Sequence, residues 1–336
     1  MKPNPAETKT IFKKPWTWQP RGLASLIALR LVQALFSMLG ASILIWALLP
    51  LAPGDPALRT LQARGVENPR PAEIAAIREE LKLDRPAVVQ YFAWLGRAVR
   101  GDLSLSYQSG RPVSEELIHR LTATLRLTGL ALAMSVLLAI AGALLSTMYF
   151  EKFPDWFIRL LTQVAAACPS FLLGLLALQF IVIALGWGRV ISTTSAADVW
   201  LPAICLSIGR AAEWTQLLRA SLLEALGAPY AFVATARGAT RFRVLFRHAL
   251  PNAMLPFLNV VGVGVGSLLG GAAIVETVFS YPGIGSYVVA AIIARDLPVV
   301  QGFVVVSTFA YVLANLLIDL VSALVDPRLR TSGEIA

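Results

Sequence analysis

Arg210 and Glu213 are charged residues in the middle of an apolar stretch, where charge calls for a chemical explanation. They are three residues apart, so on a helix they share one face. Because an isolated charge in hydrocarbon costs several kcal/mol, such residues usually pair with each other or face water. Two interpretations follow: a mutual ion pair that stabilises a helical bundle, or two side chains that line a translocation pathway.

A basic segment, ATARGATRFRVLFRHALP (234–251), lies between two long apolar runs. The glycine inside it and the Gly and Pro residues before it predict a short helix, a break and a second helix. A basic helix at a membrane surface can bind anionic lipid, and it can equally bind a soluble partner. The residues alone leave both interpretations open. The basic side chains are Arg237, Arg241, Arg243, Arg247 and His248.

Motifs for catalysis and for nucleotide binding are absent from the sequence. It contains no HExxH, no GxSxG and no Gly-Lys-Ser/Thr, so neither a hydrolytic site nor a phosphate-binding loop is predicted. The glycine-rich stretch 262–271 lacks the GxGxxG spacing, and we predict that Gly266 and Gly270 let helices approach closely. We therefore predict that the chain is not an enzyme and binds neither a cofactor nor a metal.

The composition indicates an all-α membrane protein. Hydrophobic residues make up 57% of the chain and charged residues 15%, whereas a soluble domain needs more charged surface. The net charge of +9 is explained by Lys and Arg residues that collect on cytoplasmic loops. The lipid bilayer is thus a predicted partner, and nucleic acid is not.

Six apolar runs approach the roughly 20 residues that cross a bilayer as a helix. The loops 186–198 and 280–301 offer only Arg189 and Arg295 as basic residues, whereas the loop after the fourth run is rich in arginine. This asymmetry predicts that both termini are cytoplasmic. The predicted spans lie near residues 31–51, 122–150, 156–185, 199–218, 256–279 and 302–325.

The segment 52–121 is predicted to be a small extracytoplasmic helical domain between the first two spans. Residues 71–83 have helical periodicity, and 88–99 read as a second amphipathic helix. The apolar side of the second helix can pack on the first or rest on the membrane surface. The apolar face of the first helix consists of Ile74, Ile77 and Leu81.

The spacing inside the basic segment resembles EAA-x3-G-x9-I-x-LP, a motif of the permease subunits of ATP-binding cassette (ABC) importers. Ala234 takes the third position and Gly238 the glycine, and the closing pair is Leu250 and Pro251. The spacing matches throughout, and the departures from the motif resemble the peptide/nickel branch of the family. The departing residues are Phe232, Val233 and His248.

Further segments are similar to that branch over about residues 28–330. They are LAPGDPA (51–57), LKLDRP (81–86), VVQYFAWLGRAVRGDLSLSY (88–107), TATLRLT (122–128), ACPSFLLGLL (167–176), RASLLEALG (219–227), VETVFSYPGIG (275–285), ARDLPVVQG (294–302) and VDPRLR (325–330).

The resemblance implies a fold, a location and partners. The expected fold is that of a type I ABC importer permease with six transmembrane helices, in the bacterial cytoplasmic (inner) membrane. The expected partners are a second homologous permease subunit, two ABC ATPase subunits and an extracytoplasmic substrate-binding protein. ATP and magnesium are used by the ATPase subunits in this scheme.

The resemblance also implies roles for single residues. The loop 219–251 is expected to hold a coupling helix that docks on an ATPase, with Gly238 permitting a turn and Pro251 ending the segment before the fifth span. Arg237, Arg241 and Arg243 are expected to meet acidic groups on the ATPase or lipid phosphates. On the opposite side, a dock for the binding protein is expected at Asp55, Tyr281, Pro282 and Gly283.

The sequence leaves the substrate and the transport mechanism open. Members of the branch move dipeptides, oligopeptides, nickel or metal–metallophore complexes, and the permease sequence does not separate them. An ATP-independent secondary transporter or channel is the alternative function. The predicted division of the chain is a cytoplasmic extension (1–27), a first transmembrane helix (28–51), the extracytoplasmic domain (52–121), a five-helix core (122–325) and a cytoplasmic tail (326–336).

Overall fold

The computed structural model describes residues 23–48, 55–187 and 198–325, and these ranges are predominantly helical. The predicted N-terminal extension up to residue 22, residues 49–54, most of the loop 186–198 and the C-terminal tail lie outside them. The helices are α1 (Leu23–Leu48), α2 (Pro56–Ala63), α3 (Pro71–Glu80), α4 (Ala87–Ala98), α5 (Val113–Met148), α6 (Phe153–Ala167), α7 (Ser170–Ala177), α8 (Trp200–Gly227), α9 (Pro229–Ala236), α10 (Arg241–Val244), α11 (Leu250–Val278), α12 (Ile284–Ala294) and α13 (Leu297–Val325).

The described residues contain between four and six candidate membrane spans. Four lie in α1, α5, the continuous stretch from α10 to α11, and α13, each long and apolar enough to cross a bilayer alone. Two bent pairs, α6 with α7 and α8 with α9, meet the same criteria when each pair is taken together. The six predicted spans correspond to counting each bent pair as one span.

The third predicted span is not one continuous helix. α6 ends at Ala167, and the following helical stretch, α7 with a π-helical turn over Leu178–Ala184, is bent from it by 97°. The cause is Pro169, which lacks an N–H and disfavours helical dihedrals at the preceding residue. Cys168 accordingly adopts an extended conformation, with ψ of 119°.

The second predicted span begins earlier than the hydropathy indicated. α5 starts at Val113, and its 36 residues span about 54 Å, well beyond the ~30 Å hydrocarbon core. Its first turns therefore extend outside the bilayer, and the predicted boundary at residues 121 and 122 falls inside the helix. These turns belong to a small apolar cluster formed by Leu103, Val113, Leu117, Ile284, Ala291 and Val299.

α8 lies at the centre of the core and packs against α5, α6 and α11. The indole of Trp214 meets the ring of Phe257 edge to face, with centroids 6.3 Å apart. A Cβ atom on Gly266 would lie 2.6 Å from Tyr311 of α13, which confirms the predicted close packing there. The same prediction is wrong for Gly270 within the described residues, because none of their atoms outside its own helix lies within 4 Å of its Cβ position.

The segment between α1 and α5 contains the two predicted amphipathic helices. Ile77 of α3 is buried in a cluster with α2, and Ile74 and Leu81 pack against it, which confirms the predicted face. α4 packs instead on α1, where Trp94 and Tyr91 lie about 6 Å from the ring of Trp46. The pairing of α4 with α1 was not among the predicted alternatives.

Candidate functional site

The loop 219–251 has the predicted layout of a short helix, a break and a second helix. α8 runs to Gly227, and Ala228 is extended, with ψ of 152°. α9 follows at an angle of 59° to α8, with Pro229 at its first turn. Because proline has no N–H to satisfy, it is well suited to start a helix. The extended residue and the proline together turn the chain out of the core.

Two residues of the family motif form the turn that ends α9. Gly238 has φ of +87°, a left-handed conformation that glycine adopts without steric cost. Its N–H donates to the carbonyl of Thr235 at 2.9 Å, and the N–H of Ala239 donates to the carbonyl of Ala234 at 3.1 Å. This pair of bonds is the Schellman motif that closes helix C-termini. The spacing between Ala234 and Gly238 in the motif is thus the spacing that this helix-terminating turn requires.

Pro251 does not end the coupling segment, contrary to the prediction. α10, a π-helical turn over Leu245–Ala249 and α11 form one continuous helix. A proline inside an α-helix clashes with the carbonyl four residues earlier and loses one hydrogen bond. The π turn immediately before Pro251, in which the N–H of Leu250 donates to the carbonyl of Leu245, widens the helix at this point. The helix therefore passes through the proline, near which Leu250 is half-buried.

α9 presents an apolar surface to its surroundings. Phe232 is 77% exposed, Val233 48% and Tyr230 41%, whereas Ala231 is buried against the body of the protein. We call Tyr230, Phe232 and Val233 the α9 surface. Arg237, Arg241 and Arg243 are exposed beside it, and Arg241 also donates to the carbonyl of Thr147 at 3.3 Å. The loop thus combines exposed aromatic side chains with positive charge.

A buried ion pair anchors the helix that leads into this loop. The guanidinium of Arg219 on α8 donates to both carboxylate oxygens of Asp155 on α6, each at 2.8 Å. Ser146 on α5 and the N–H of Glu151 also donate to Asp155, which is 1% exposed. Arg219 further lies over the ring of Phe150. Three helices are therefore joined about two helical turns before the end of α8.

The ion pair between Arg219 and Asp155 was not among the predicted site residues. A signal for it exists in the sequence, because Asp155 directly precedes the third predicted span and Arg219 directly follows the fourth. In the predicted topology these two positions lie on the same side of the membrane. Opposite charges at two span ends on one side are candidates for pairing.

Arg210 and Glu213 form the ion pair that their spacing predicts. The nitrogen Nη1 of Arg210 lies 2.7 Å from Oε2 of Glu213. Their side chains stay 34% and 43% exposed, because this side of α8 faces away from the helices that bury the rest of it. The structure thus brings the two residues together and leaves both accessible.

At the other end of the bundle, Tyr281 and Gly283 are buried and Pro282 is half-buried. In this conformation Tyr281 and Gly283 shape the turn before α12 and do not present side chains to a partner. A Cβ atom on Gly283 would lie 2.2 Å from the carboxylate of Glu276, so only glycine fits. The burial of Glu276 was missed, although it is the only charged residue in the fifth predicted span.

The carboxylate of Glu276 holds the start of α12 in place. It accepts from the hydroxyl of Thr124 at 2.6 Å and from the N–H of Ser286 at 3.0 Å. The same hydroxyl accepts from the N–H of Ile284 at 2.9 Å. Because the first N–H groups of a helix lack partners within it, these bonds fix α12 to α5 and α11.

A second carboxylate, Asp296, joins α12 and α13 to the loop before α5. It accepts from the hydroxyl of Ser106 at 2.5 Å and from the N–H groups of Tyr107 and Gln108 at 3.0 and 3.2 Å. Burial, together with the charge of Asp296, raises the pKa of Tyr107 to about 12. The ionised phenolate is thus even less favourable than in an ordinary tyrosine, which is already neutral at physiological pH.

Asp55, the remaining residue of the predicted dock, stabilises the segment to which it belongs. Its side chain accepts from the N–H of Ala57 at 3.0 Å, as the N-cap of α2. Arg78 of α3 donates to its other oxygen at 2.8 Å. Residues 51–54, which precede it in the quoted motif, lie outside the described residues.

Comparison with known families matches nearly the whole chain. Residues 131–331 match the family described as binding-protein-dependent transport system inner membrane component. Residues 23–128 match the N-terminal part of binding-protein-dependent transport system membrane components. The first match includes α9 with its Schellman turn and both ends of the ion pair between α6 and α8.

Curated relatives align along almost their full length. A protein called a probable peptide ABC transporter permease, from Sinorhizobium fredii, is 37% identical over 309 residues, covering 90% of this chain and 97% of the relative. The glutathione transport system permease protein GsiC of Escherichia coli is 31% identical over 303 residues, with coverage of 90% and 97%.

Solved structures share the fold at low sequence identity. The MetNI methionine ABC transporter in inward-facing conformations aligns with a TM-score of 0.54 and 16% identity, over 63% of this chain and 96% of that chain. An amino acid ABC transporter crystallised with histidines aligns with a TM-score of 0.50 and 19% identity, over 64% and 95%. With the family matches, these likenesses lead to one conclusion: the chain belongs to the binding-protein-dependent transport system inner membrane components and is a permease subunit of an ATP-driven ABC importer of the peptide/nickel branch.

Proposed function

We propose that this chain imports short peptides together with a second permease subunit, two ATPase subunits and an extracytoplasmic binding protein. The observation that carries the proposal is the α9 surface, an exposed apolar helix face at the end of a rigidly anchored span. Exposed aromatic side chains of this kind are typical of protein interfaces. ATP hydrolysis takes place in the partner subunits, which supply the nucleotide site that this sequence lacks.

In the proposed mechanism α9 is the coupling helix, and it lies on the cytoplasmic side. Closure of the ATPase subunits on ATP moves α9 as a rigid unit, because the Schellman turn at Gly238 fixes its end. α8 transmits the movement to α5 and α6 through Arg219 and Asp155. Arg241 provides a second connection, to the carbonyl of Thr147 at the end of α5.

The chemistry of the loop favours an ATPase surface with an apolar groove and acidic groups near it. Phe232 and Val233 stand where the family motif has a glutamate and an alanine, so the exposed face of α9 is apolar. Arg237 and Arg243 are positioned beside that face to meet acidic side chains. Anionic lipid is the second partner that the same arginines can bind.

Peptides are the proposed substrate class because the full-length relatives are called peptide and glutathione permeases. The binding protein is proposed to dock at the opposite end of the bundle. There, Pro282 and the exposed parts of the segment 55–112 offer surface, while Tyr281 and Gly283 support the turn from inside. Asp55 contributes by holding α2 and α3 together through Arg78.

Reconstitution of the complete complex in proteoliposomes tests the proposal. The chain, the neighbouring permease, the two ATPases and the binding protein are combined, and uptake of a radiolabelled tripeptide is measured with and without ATP. Uptake that requires ATP and the binding protein is expected. The matched control contains ATPase subunits that cannot hydrolyse ATP, and uptake that persists with them would overturn the importer mechanism in favour of an ATP-independent transporter or channel.

A further inference from the structure

One side of α8 carries a row of mostly polar residues that the described part of the chain leaves partly or fully exposed. The opposite side packs on α5, α6 and α11 and contains the buried residues of the helix. The residues of this row recur every three or four positions, so they lie along one face. We call them the α8 stripe: Arg210, Glu213, Gln216, Ala220 and Glu224.

Arg210 lies so deep in the predicted span that exposure of its charge to lipid hydrocarbon would be unfavourable. Arg210 is ten residues after the start of α8 at Trp200, which places it about 15 Å along the helix and near the middle of a ~30 Å core. Charged side chains at this depth almost always face the interior of a bundle or a water-filled cavity. Glu213 and Gln216 follow on the same face, and Gln216 is exposed.

The ion pair alone does not explain the stripe. Arg210 and Glu213 neutralise each other at 2.7 Å, yet a third or more of each side chain stays exposed. The row also continues towards α9 with Gln216 and Glu224, which are exposed and polar. An ion pair that only stabilised this subunit would be expected between helices of the bundle, as Arg219 and Asp155 are.

We propose that the α8 stripe lines a water-filled translocation path, with Arg210 and Glu213 as a transient site for zwitterionic substrates. This inference rests on the proposed importer function and adds the residues that the substrate meets. The Arg210 guanidinium can bind a peptide carboxylate through two parallel hydrogen bonds. The Glu213 carboxylate can accept from a peptide ammonium group.

The pairing of Arg210 with Glu213 explains how a charged substrate can cross the membrane interior without a large free-energy cost. In the empty state each residue is the partner of the other. A substrate that carries one carboxylate and one ammonium group can replace both partners at once, so no charge is left unpaired in the membrane interior. A substrate with only one of the two groups leaves either Arg210 or Glu213 without a partner.

The accessibility of the α8 stripe to water distinguishes a water-filled translocation path from a dry interface between helices. Cysteine is placed at Gln216 or Ala220 in a background with Cys168→Ala and Cys205→Ala, and the complete complex is treated in proteoliposomes with a charged methanethiosulfonate reagent. Leu137 and Phe180, which are 67% and 61% exposed on apolar faces, provide the control positions. Reaction at the stripe at least tenfold faster than at the controls is expected, and equal rates would overturn the proposal.

Substrate uptake relative to the amount of assembled complex shows whether Arg210 and Glu213 act in translocation or only stabilise the fold. The double variant Arg210→Gln with Glu213→Gln removes both charges and keeps a polar amide side chain at each position. Uptake of trialanine is expected to fall about tenfold relative to the amount of assembled complex, with ATP hydrolysis retained. Unchanged uptake per assembled complex would overturn the proposal, whether or not less complex forms.

The matched control for the double variant is Glu151→Gln with Lys152→Gln, which removes one acidic and one basic side chain that are exposed between the second and third predicted spans. Its uptake is expected to equal that of the wild type. If the wild-type complex shows no ATP-dependent uptake of trialanine, the proposed function fails. Even then, the cysteine reaction rates show whether water reaches the α8 stripe, because that measurement needs no substrate.

Discussion

Arg219 and Asp155 are 64 residues apart in the chain, and two bonds of 2.8 Å join the guanidinium of one to the carboxylate of the other. Arg219 lies about two helical turns before the end of α8 at Gly227, where the chain turns into α9. A load applied to α9 therefore reaches α6 through a charged contact that is shielded from water. This arrangement leads to the first of four predictions.

Removal of one partner of this ion pair should destabilise the fold strongly. Asp155→Asn leaves a guanidinium that is 17% exposed without its carboxylate, and such a loss costs about 3–5 kcal/mol for a buried pair. The free energy of unfolding of the purified chain in a denaturant titration measures the effect. Glu80→Gln, which breaks the exposed pair with Arg64, should cost less than about 1 kcal/mol. Similar losses for both variants would contradict the assignment of Asp155 as an anchor.

The turn after α9 should couple ATP hydrolysis to transport. Gly238→Pro cannot adopt φ of +87° and also lacks the N–H that bonds to Thr235. We expect the complex to assemble and hydrolyse ATP while substrate uptake per ATP falls at least tenfold. Gly227→Ala is the control, because Gly227 is helical and has open space at its Cβ position. Wild-type uptake by Gly238→Pro would argue against α9 as the coupling element.

The α9 surface should contribute to binding of the ATPase subunits. Phe232→Ser removes an aromatic side chain that is 77% exposed, so the fold of the chain itself should be unaffected. If Phe232 is a central contact, the loss is about 2 kcal/mol or more, which weakens binding roughly 30-fold. Co-purification of the ATPases at increasing salt and dilution measures this loss. Phe92→Ser on α4, at 63% exposure, should leave binding unchanged, and equal behaviour of the two variants would exclude the α9 surface.

The start of α12 should tolerate no side chain at Gly283. Gly283→Ala places a methyl group 2.2 Å from the Glu276 carboxylate, and displacement of that carboxylate would break its bonds to Thr124 and Ser286. We expect a loss of about 1–3 kcal/mol, the range for overpacked sites, measured as a lower melting temperature of the purified chain. Gly270→Ala is the matched control, since no described residue outside its own helix has an atom within 4 Å of its Cβ position. An unchanged melting temperature for Gly283→Ala would contradict the role of Glu276.

Local properties of the chain could be predicted from the sequence because they depend on neighbouring residues. The helix break at Gly238 follows from the dihedral freedom of glycine, and the pairing of Arg210 with Glu213 follows from the helical repeat. The apolar face of α3 follows from the same periodicity, with Ile77 at its buried centre. The bend after Cys168 is also local, since Pro169 causes it, yet hydropathy alone merged α6 and α7 into one span.

Relations between distant helices were decided only by the tertiary structure. The spans share the same apolar composition, so their hydropathy does not specify which faces meet. The partners of Asp155 and Glu276 come from residues 64 and 152 positions away, and the π turn over Leu245–Ala249 packs against α8. The sequence by itself therefore determined the membrane class, the family motif and the turn at Gly238. The packing of the helices decided which charges are buried as anchors and which, like Arg210 and Glu213, remain open.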